Sequence, residues 1–535
     1  MKRLINLALA AVLCACGGGG TAPAPPPGGP PDPPPPAPTV SVLSGNVSRI
    51  AVAGTSVAID VSIRPSFTPS ATLSATATDS AGVIAAGVSV KAAGDGSYVL
   101  SMASSASVAA GHYAGSVTLN LCADPACTTR QPVPSVAVPF DIRVMSASSA
   151  WPGDTPTVLA PWPGVPDWST FQGNAAHTGY VPATLNPDQF STRWRSAAGW
   201  ASNQFYALPS TLTTADGRFF LAAANTLFAR KEFDGSALWQ YDVSGLANPS
   251  VNPPAVANGT VYMAAGQQSS TFMFAFNAAD GALRFKAPMS SQWENYLSPT
   301  IGDQGVYTNA GTSGGLYAFD TSGQQMFFSS MAQTSLWTPA VDATGVYAYT
   351  GGQLKVVDAR TGAVLHQIDD PTFTNYVYQI AGSPVLGAPG SVFVANYANS
   401  KLNGGGIGNT LTNFSLTRDA IAWQVSGVYP STPAYSSGTL YVANERPVRL
   451  EARAESDGAL LWSWVPPQSG DTGFASEVLL TNNLVFVSTN LATYAIDTTS
   501  HAVRWSYPQS GRLALSKNGI LYIQGLEFLT AINLK

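Results

Sequence analysis

The chain has 535 residues, which is too long for one ordinary domain, so we expect at least two domains. Hydrophobic residues make up 45% of the chain, enough to fill a core, whereas charged residues make up only 10%, far below the roughly 25% of an average soluble protein. The net charge is −5 and no run of Lys and Arg follows Lys2 and Arg3. This argues against a nucleic-acid partner, because phosphate neutralisation needs a clustered basic surface.

Residues 1–15 have the pattern of a bacterial signal peptide. Lys2 and Arg3 form its charged start. The apolar run at 4–13 is broken only by Asn6 and is too short to span a bilayer stably. The sequence therefore predicts an exported protein.

The end of this segment, LCAC at 13–16, resembles a bacterial lipobox with Leu at −3 and Ala at −1. We expect cleavage before Cys16 and lipidation of Cys16, because cleavage before Cys14 would place the bulky Leu13 beside the cut. Gly17, rather than Asp, follows the lipidated cysteine, which in lipoproteins of enteric-like bacteria favours the outer membrane. The alternative is a plain signal peptide with a chance cysteine. Residues 16–38 are predicted to be the lipid anchor and an extended Gly- and Pro-rich linker, which at about 3.1 Å per residue spans roughly 60 Å.

Two further cysteines, Cys122 and Cys127, remain once Cys16 is lipidated. The stretch CADPAC places them five residues apart around a proline, in a chain whose export signal implies an oxidising compartment. A metal site would need more ligands, and His112 is the only histidine in this region. We predict a disulfide between Cys122 and Cys127.

Residues 39–145 consist of short alternating segments rich in Val, Ile, Thr and Ser and separated by Gly, Asp and Pro. This pattern is typical of an all-β sandwich. The stretch GHYAGSVTLNLCADPAC, followed by VPFDIRV, resembles the end of Ig-like modules in bacterial surface proteins. It shows no set of catalytic groups, so we interpret it as a spacer or adhesion module. Residues 146–167 are predicted to be a linker.

From 168 to 535 the sequence repeats with a period near 40 residues. Each repeat has a strand ending in an aliphatic–aromatic pair, such as Val346-Tyr347, then a second strand, a turn, and a third strand with a ring four residues beyond the turn. The eight ring positions are Trp194, Trp239, Phe285, Phe327, His366, Trp423, Trp462 and Trp505. Eight four-stranded units predict an all-β, eight-bladed β-propeller, in which the N-terminal strand STRWRSA completes the last blade.

The recurring turn explains why the bland stretch LKVVDARTG at 354–362 has close copies along the chain. We expect Asp358 to cap the turn through its carboxylate and Gly362 to adopt a positive φ. The ring beyond the turn is expected to dock between neighbouring sheets, where its burial contributes about 1.5–3 kcal/mol. The repeated stretch is therefore interpreted as structural rather than catalytic.

The order GxVY, LYAxDxxxG and xxxW resembles the pyrroloquinoline-quinone (PQQ) repeat family over 168–535. The stretch WSTFQGNAAHTGY at 168–180 is similar to the lead-in before the first blade of that superfamily. Its quinone-dependent dehydrogenases commonly use adjacent cysteines, an Asp base and Ca²⁺ ligands, whereas its BamB-like envelope lipoproteins are not enzymes. No cysteine follows Cys127 and the propeller glutamates stand singly. We therefore predict no catalytic residue, no metal and no cofactor; a PQQ-dependent oxidoreductase is the third-ranked alternative.

Strand order in a propeller places the loops between blades, and those between second and third strands, on one face. Aromatic residues collect in these loops, and aromatic residues on loops of rigid scaffolds are typical of binding sites. The predicted partner-binding residues are Trp200, Tyr206, Trp293, Tyr296, Trp337, Tyr376, Tyr378 and Tyr397. The alternative is that half of these rings fill the central channel or pack under loops.

These patterns predict a non-catalytic cell-envelope lipoprotein of the outer membrane, whose propeller is a protein-binding scaffold. The resemblance makes outer-membrane protein assembly one candidate role. The long linker and the additional N-terminal domain depart from BamB-like proteins, and they favour a surface glycan-binding or adhesion protein as the alternative.

Overall fold

The computed structural model describes residues 37–43, 47–54, 56–69, 72–93, 96–109, 111–145, 157–197, 212–223, 225–292, 297–334, 336–373, 380–398, 410–467, 470–526 and 528–535. Within these ranges the chain is all-β, and its helical parts are three short 3-10 turns, Phe171–Gly173, Pro187–Gln189 and Gln268–Ser270. Across the same ranges, no helix has the length and apolarity needed to cross a membrane.

The first part of the chain forms two four-stranded sheets that share one core. Their strands are β1 (Val40–Val42), β2 (Val47–Val52), β3 (Ala58–Pro65), β4 (Ser74–Asp79), β5 (Ser89–Ala92), β6 (Tyr98–Ala103), β7 (Gly111–Cys122) and β8 (Val136–Met145). One sheet has the order β1-β3-β6-β5 and the other β2-β8-β7-β4. Buried residues of both sheets, such as Ile59, Val61, Val117 and Ile142, pack together. This is sandwich packing; the Ig-like assignment stays a prediction.

Cys122 ends strand β7 and is disulfide-bonded to Cys127, with the two Cα atoms 5.1 Å apart. The intervening loop is ordered by Asp124, whose carboxylate accepts hydrogen bonds from the backbone N–H groups of Thr128 and Thr129 at 3.0 and 2.6 Å. The disulfide therefore closes a turn that is also held by its own polar contacts.

The remainder of the described chain forms eight antiparallel sheets. Their strands are β9 (Ser191–Ala197), β10 (Thr213–Ala215), β11 (Arg218–Ala223), β12 (Thr226–Lys231), β13 (Ala237–Asp242), β14 (Ala255–Ala257), β15 (Thr260–Ala265), β16 (Thr271–Asn277), β17 (Leu283–Met289), β18 (Thr300–Ile301), β19 (Val306–Asn309), β20 (Gly315–Phe319), β21 (Gln325–Ser330), β22 (Ala340–Val341), β23 (Val346–Thr350), β24 (Gln353–Val357), β25 (Val364–Asp369), β26 (Ile380–Ala381), β27 (Val385–Leu386), β28 (Ser391–Ala398), β29 (Thr410–Ser415), β30 (Ala420–Ser426), β31 (Ala434–Ser436), β32 (Thr439–Glu445), β33 (Val448–Ala454), β34 (Leu460–Trp464), β35 (Leu479–Leu480), β36 (Leu484–Ser488), β37 (Thr493–Asp497), β38 (Val503–Tyr507), β39 (Arg512–Leu515), β40 (Ile520–Gln524) and β41 (Phe528–Asn533).

Six of these sheets are four consecutive strands paired in chain order, from β10-β11-β12-β13 to β35-β36-β37-β38. The fifth sheet has both β26 and β27 on its first position beside β28. The last has the order β39-β40-β41-β9, so the N-terminal strand completes the C-terminal sheet, as the sequence indicates. We call the first strand of each sheet the inner strand and the fourth the outer strand. The side holding the turns between first and second strands is the turn side, and the opposite side is the loop side.

The rings beyond the repeated turn dock against the next sheet, which confirms the role expected from the sequence. Three indole Nε1–H groups donate to backbone carbonyls of the following sheet: Trp194 to Glu232 (2.9 Å), Trp239 to Ala278 (3.1 Å) and Trp423 to Glu455 (2.7 Å). A turn glycine lies directly beneath each of these rings, at Gly235, Gly281 and Gly458. Neighbouring sheets are thus joined by one repeated ring-on-turn contact.

The turn at 358–362 has the predicted geometry. The Asp358 carboxylate accepts hydrogen bonds from the backbone N–H groups of Arg360 (3.1 Å) and Thr361 (2.8 Å). Gly362 has a φ of 72°. A Cβ built on Gly362 would lie 2.5 Å from the Phe327 ring, so both the backbone angle and the docked ring require glycine here.

The glycine requirement predicts a difference between two alanine variants. Gly259→Ala introduces a side chain at a φ of +68° where nothing lies within 4 Å, so it should cost about 1 kcal/mol of unfolding free energy. Gly362→Ala adds the clash with Phe327 and should cost roughly 1–3 kcal/mol more. Urea unfolding followed by Trp fluorescence measures both. Equal losses in the two variants would show that the docked ring moves aside freely.

Every outer strand carries a β-bulge immediately before its docked ring. In β25, for example, Val357 pairs with Val364 and Val356 with His366, so Leu365 is the extra residue. The same shift occurs in all eight sheets, with the extra residues Arg193, Leu238, Arg284, Met326, Leu365, Ala422, Leu461 and Arg504. Bulges of this kind twist an exposed sheet edge and interrupt its pairing pattern.

Candidate functional site at the centre of the sheets

Residues 168–180, which we call the central segment, lie among the inner strands. Six backbone N–H groups of inner strands donate to carbonyls of this segment: Thr214 to Trp168, Val256 to Ser169, Val341 to Ala175, Leu386 to Ala176, Tyr435 to Thr178 and Leu480 to Gly179, at 2.8–2.9 Å. The Thr170 hydroxyl donates to the Pro299 carbonyl, 2.8 Å away, which adds the third sheet. Successive residues of the segment therefore contact successive inner strands, from the first sheet to the seventh.

Two buried side chains fix the central segment. Gln172 Nε2 lies 3.2 Å from the carbonyl of Pro433 and 3.4 Å from that of Val478. His177 Nδ1–H donates to the Pro384 carbonyl (3.0 Å), and its Nε2 accepts from the Thr300 hydroxyl (3.1 Å). Burial lowers the pKa of His177 from 6.5 to about 4. The neutral imidazole, with its proton on Nδ1, thus links the third and fifth sheets.

The chain reaches and leaves the central segment on the turn side. Before the segment, Asp167 forms an ion pair with Lys517 (2.7 Å) in the first turn of the last sheet. After it, the Leu185 N–H donates to Asn483 (2.9 Å), in the equivalent turn of the seventh sheet. The segment is therefore inserted from the turn side, and its far surface faces the loop side.

A second layer of polar side chains lies on the loop side of the central segment. In each sheet the inner strand pairs with the aromatic residue of the second strand, as Ala340 does with Tyr347. We consider the residue that lies two positions before this inner-strand residue in the sequence. In the third to eighth sheets it is, in order, Ser298, Thr338, Ser383, Thr432, Glu477 and Arg512. We call these six residues the polar ring. Four of them, Thr338, Ser383, Thr432 and Glu477, precede the segment's anchor point in the same sheet by three residues, about 10 Å along a strand.

Neighbouring members of the polar ring contact one another. The Thr338 hydroxyl donates to the Ser298 carbonyl (2.7 Å), and the Thr338 N–H donates to the Ser383 hydroxyl (3.1 Å). The Thr432 N–H donates to the Glu477 carboxylate, which also lies 3.6 Å from Arg512 Nη1. Burial raises the pKa of Glu477, and the charge of Arg512 opposes that rise. The ring thus combines four hydroxyls with one charge-balanced pair.

A separate buried carboxyl lies at the seam where the last sheet meets the first. Glu232 is fully buried, and its side chain accepts hydrogen bonds from Asn518 and from the Tyr522 hydroxyl (3.2 Å). Its backbone carbonyl accepts the Trp194 indole N–H. Burial raises the pKa of Glu232 from 4.5 to about 7, only partly offset by these hydrogen bonds. One residue therefore joins the first sheet to strands from both ends of the propeller region.

The predicted partner-binding residues mostly fall outside the described residues: Trp200, Tyr206, Trp293, Tyr296, Tyr376 and Tyr378, as does the lipidation candidate Cys16. Tyr397 belongs to strand β28, and its side chain is also outside the description. Trp337 is described and is buried among Tyr307 and Leu316, with its indole N–H donating to the Thr334 carbonyl at 3.0 Å. It lies in the core between the third and fourth sheets, so it is not accessible to a partner.

The polar ring is not predicted by the repeat pattern, although a signal for part of it is visible in the sequence. Ser298, Thr338, Ser383 and Thr432 each precede a proline that leads into an inner strand. Glu477 and Arg512 lack that proline and become equivalent only through strand register. Over the described residues, no group of three or more His, Cys, Asp or Glu side chains could hold a metal ion.

Several solved structures are similar to this chain. The BamB structure from Moraxella catarrhalis is 14% identical, with a TM-score of 0.49, covering 61% of this chain and 97% of that one. The WD40 propeller domain of Doa1 is 7% identical, with a TM-score of 0.35 and coverages of 70% and 98%. Hsv2 from Kluyveromyces lactis is 6% identical, with a TM-score of 0.37 and coverages of 55% and 94%. No curated protein sequence gives a significant match.

One family model matches the chain, over residues 177–281 and 269–408, and its description is "Outer membrane protein assembly factor BamB". The match begins within the central segment and extends into the fifth sheet. It therefore covers the same strand pairs, capped turns and docked rings that form the repeated contact between sheets. Residues 177–408 are therefore similar to the repeats of this family.

Proposed function

We propose that this chain is a non-catalytic cell-envelope lipoprotein whose propeller serves as a protein-binding scaffold in outer-membrane protein assembly. The family match to an assembly factor is the observation that carries the proposal. The resemblance of LCAC to a lipobox supports attachment to the outer membrane through Cys16.

We further propose that the eight sheets are the blades of one closed ring. The pairing of β9 with β41 and the passage of the central segment along seven inner strands support this arrangement. A closed ring whose centre is occupied on the turn side is a rigid platform. Its loop side then carries the connections between sheets, and binding residues concentrate on such loops of rigid scaffolds.

The proposal predicts the partners recovered with the tagged mature chain from gently solubilised membranes. β-barrel assembly subunits should copurify with the native chain and be lost with the Cys16→Ser chain, which lacks its anchor. Cys14→Ser is the matched control and should retain both lipid and partners. Recovery of no assembly subunit with the native chain would overturn the assembly role.

The same experiment locates the binding face. Trp293→Ala and Tyr378→Ala, on the connections between sheets, should reduce recovery of the partner about tenfold or more if these rings are hot spots. Phe233→Ala removes an exposed ring in a turn between third and fourth strands, and should leave recovery unchanged. An equal loss in all three variants would place the interface elsewhere.

A further inference from the structure

Residues 157–167, at the end of the predicted linker, lie against the turn side of the sheets, and we call them the strap. The Trp162 N–H donates to the Lys517 carbonyl at 2.8 Å, in the first turn of the eighth sheet. The Trp162 ring lies above Gly519, where an added Cβ would come within 2.8 Å of it. Lys535 Nζ lies 5.1 Å from the centre of the same ring. The middle of the strap is therefore bound to the eighth sheet.

The beginning of the strap contacts the first sheet and strand β9. Leu159 lies 3.4 Å from the position of a Cβ added to Gly217, in a turn of the first sheet. The guanidinium of Arg193, in β9, donates to the Thr157 hydroxyl (3.2 Å) and to the Thr157 carbonyl (2.7 Å). The same guanidinium donates to the side-chain oxygen of Asn533, in β41, at 3.0 Å. The strap is thus attached where the two strands from opposite ends of the propeller region pair.

The end of the strap carries a bridge of three charges. Lys517, in the eighth sheet, lies 2.7 Å from the carboxylate of Asp167 in the strap and 3.1 Å from that of Asp216 in the first sheet. Val165 is buried in the core cluster that the first and eighth sheets share. We use the word seam for the β9–β41 pairing together with the contact of the eighth sheet with the first. The strap therefore joins both sides of the seam.

Few residues of the strap are buried. Val165 is buried, Leu159, Trp162 and Asp167 are half-buried, and the other strap residues are exposed. Positions 161, 163 and 166 are prolines, which fix φ and limit the conformations of a released strap. The entropy cost of docking is therefore small, and few contacts suffice to hold the strap. A segment of this kind can detach at a cost below that of unfolding the sheets.

The seam differs from the other contacts between neighbouring strands in its connectivity. The strands of the first seven sheets are consecutive in the chain, so their connections keep them close when hydrogen bonds break. Arg193 in β9 and Asn533 in β41 are 340 residues apart, so no short connection opposes their separation. The strap lies across the place where this constraint is missing.

We propose that the strap is a clasp that holds the seam closed, and that its release opens the seam while the other sheets stay folded. Release frees Arg193 from Thr157 and Lys517 from Asp167, so the two sides of the seam lose the contacts that they share through the strap. In chain order the strap lies between the sandwich and the central segment, so a displacement of the sandwich pulls on the strap before it reaches β9. The clasp does not depend on the partner proposed above.

Hydrogen–deuterium exchange of the mature, full-length chain tests this proposal. Trp162→Ala removes the ring that lies on Gly519, so the clasp should open more often and amides of β9 and β41 should exchange about tenfold faster or more. Amides of β19 and β23, in the third and fourth sheets, should change less than about twofold. An equal acceleration in all four strands, or none in β9 and β41, overturns the proposal.

Two further variants separate the clasp from a general loss of stability. Val158→Ala is the matched control within the strap, because Val158 is 84% exposed, and it should exchange like the native chain. Pro163→Gly removes no hydrogen bond, since proline has no N–H, but it gives the released strap more conformations. It should therefore accelerate exchange in β9 and β41 about 2- to 5-fold. Native-like exchange in Pro163→Gly, or equal acceleration in Val158→Ala and Trp162→Ala, would refute the clasp.

Discussion

Glu232→Gln should raise the free energy of unfolding at pH 8 by about 3 kcal/mol relative to the native chain. The Glu232 carboxyl has a pKa of about 7 in the folded chain and 4.5 as its ordinary value. Below pH 4.5 it is protonated in both states and its stabilising contribution is fully present. Between pH 4.5 and about 7 the unfolded chain releases the proton while the folded chain retains it, so stability is lost as pH rises.

Glutamine imitates the protonated carboxyl, because Tyr522 can still donate to its oxygen and Asn518 can turn its amide to accept from its nitrogen. The charged groups around this carboxyl are Asp167, which disfavours its ionisation, and Arg193, which favours it. Both stay in place in the variant. The difference in unfolding free energy between variant and native chain, measured by urea unfolding from pH 4 to 8, isolates the Glu232 contribution.

Glu455→Gln is the matched control, since Glu455 occupies the same repeat position, three residues before a turn glycine and with its carbonyl bound to a docked indole. Its carboxylate accepts hydrogen bonds from the Ala388 N–H (2.9 Å) and the Tyr435 hydroxyl (2.7 Å). Losing this charge should cost about 1 kcal/mol at pH 8. The two variants thus change stability in opposite directions. A Glu232→Gln curve parallel to that of the native chain would mean that water reaches this carboxyl.

His177→Gln should abolish an acid-induced loss of stability of about 3 kcal/mol. The folded-state pKa of His177 is about 4, below its ordinary 6.5. Its contribution is therefore fully present above pH 6.5 and is lost as pH falls towards 4, because the unfolded chain takes up a proton that the folded chain refuses. Protonation would place a second N–H against Thr300, in a site without a nearby carboxylate among its described hydrogen-bond partners.

Unfolding from pH 7.5 to 4 measures this effect as the difference between the variant and the native chain. His366→Gln is the control, since that histidine lies half-buried on an outer strand beside Asp419 and away from the central segment. It should leave the acid-induced loss intact. If His177→Gln loses as much stability between pH 6.5 and 4 as the native chain does, the folded chain accommodates protonation of His177. The acid-induced loss of stability then arises from another group.

The repeated parts of the fold could be predicted because each rests on a local pattern. The structural roles of Asp358, Gly362 and the ring positions depend on residues within about one repeat, because they arise from turn geometry and ring burial. The partners of the central segment could not be predicted in this way. Gln172 meets residues 260 to 306 positions later, and the residues that follow it in sequence, GNAAHTG, show no hydrophobic periodicity.

The candidate site shows the same division. The Ser/Thr-Pro pairs that lead into four inner strands are visible in the sequence, but only the strand register makes Glu477 and Arg512 equivalent to them. Trp337 lies on a connection between sheets, as the sequence predicts, but it is buried, whereas a partner-binding role requires it to be exposed. Burial of that ring depends on Tyr307 and Leu316, which lie in the preceding sheet and belong to a different part of the repeat.

The order of synthesis determines when the central segment and β9 can acquire their partners. The central segment precedes β9, whose sheet partner among the described strands is β41. Arg193 and Asn533, which hydrogen bond across this pairing, are 340 residues apart. The central segment is therefore made before β9 and the eight sheets, whereas β41 is made more than 300 residues later. During synthesis, β9 therefore stays without its sheet partner until β41 has been made.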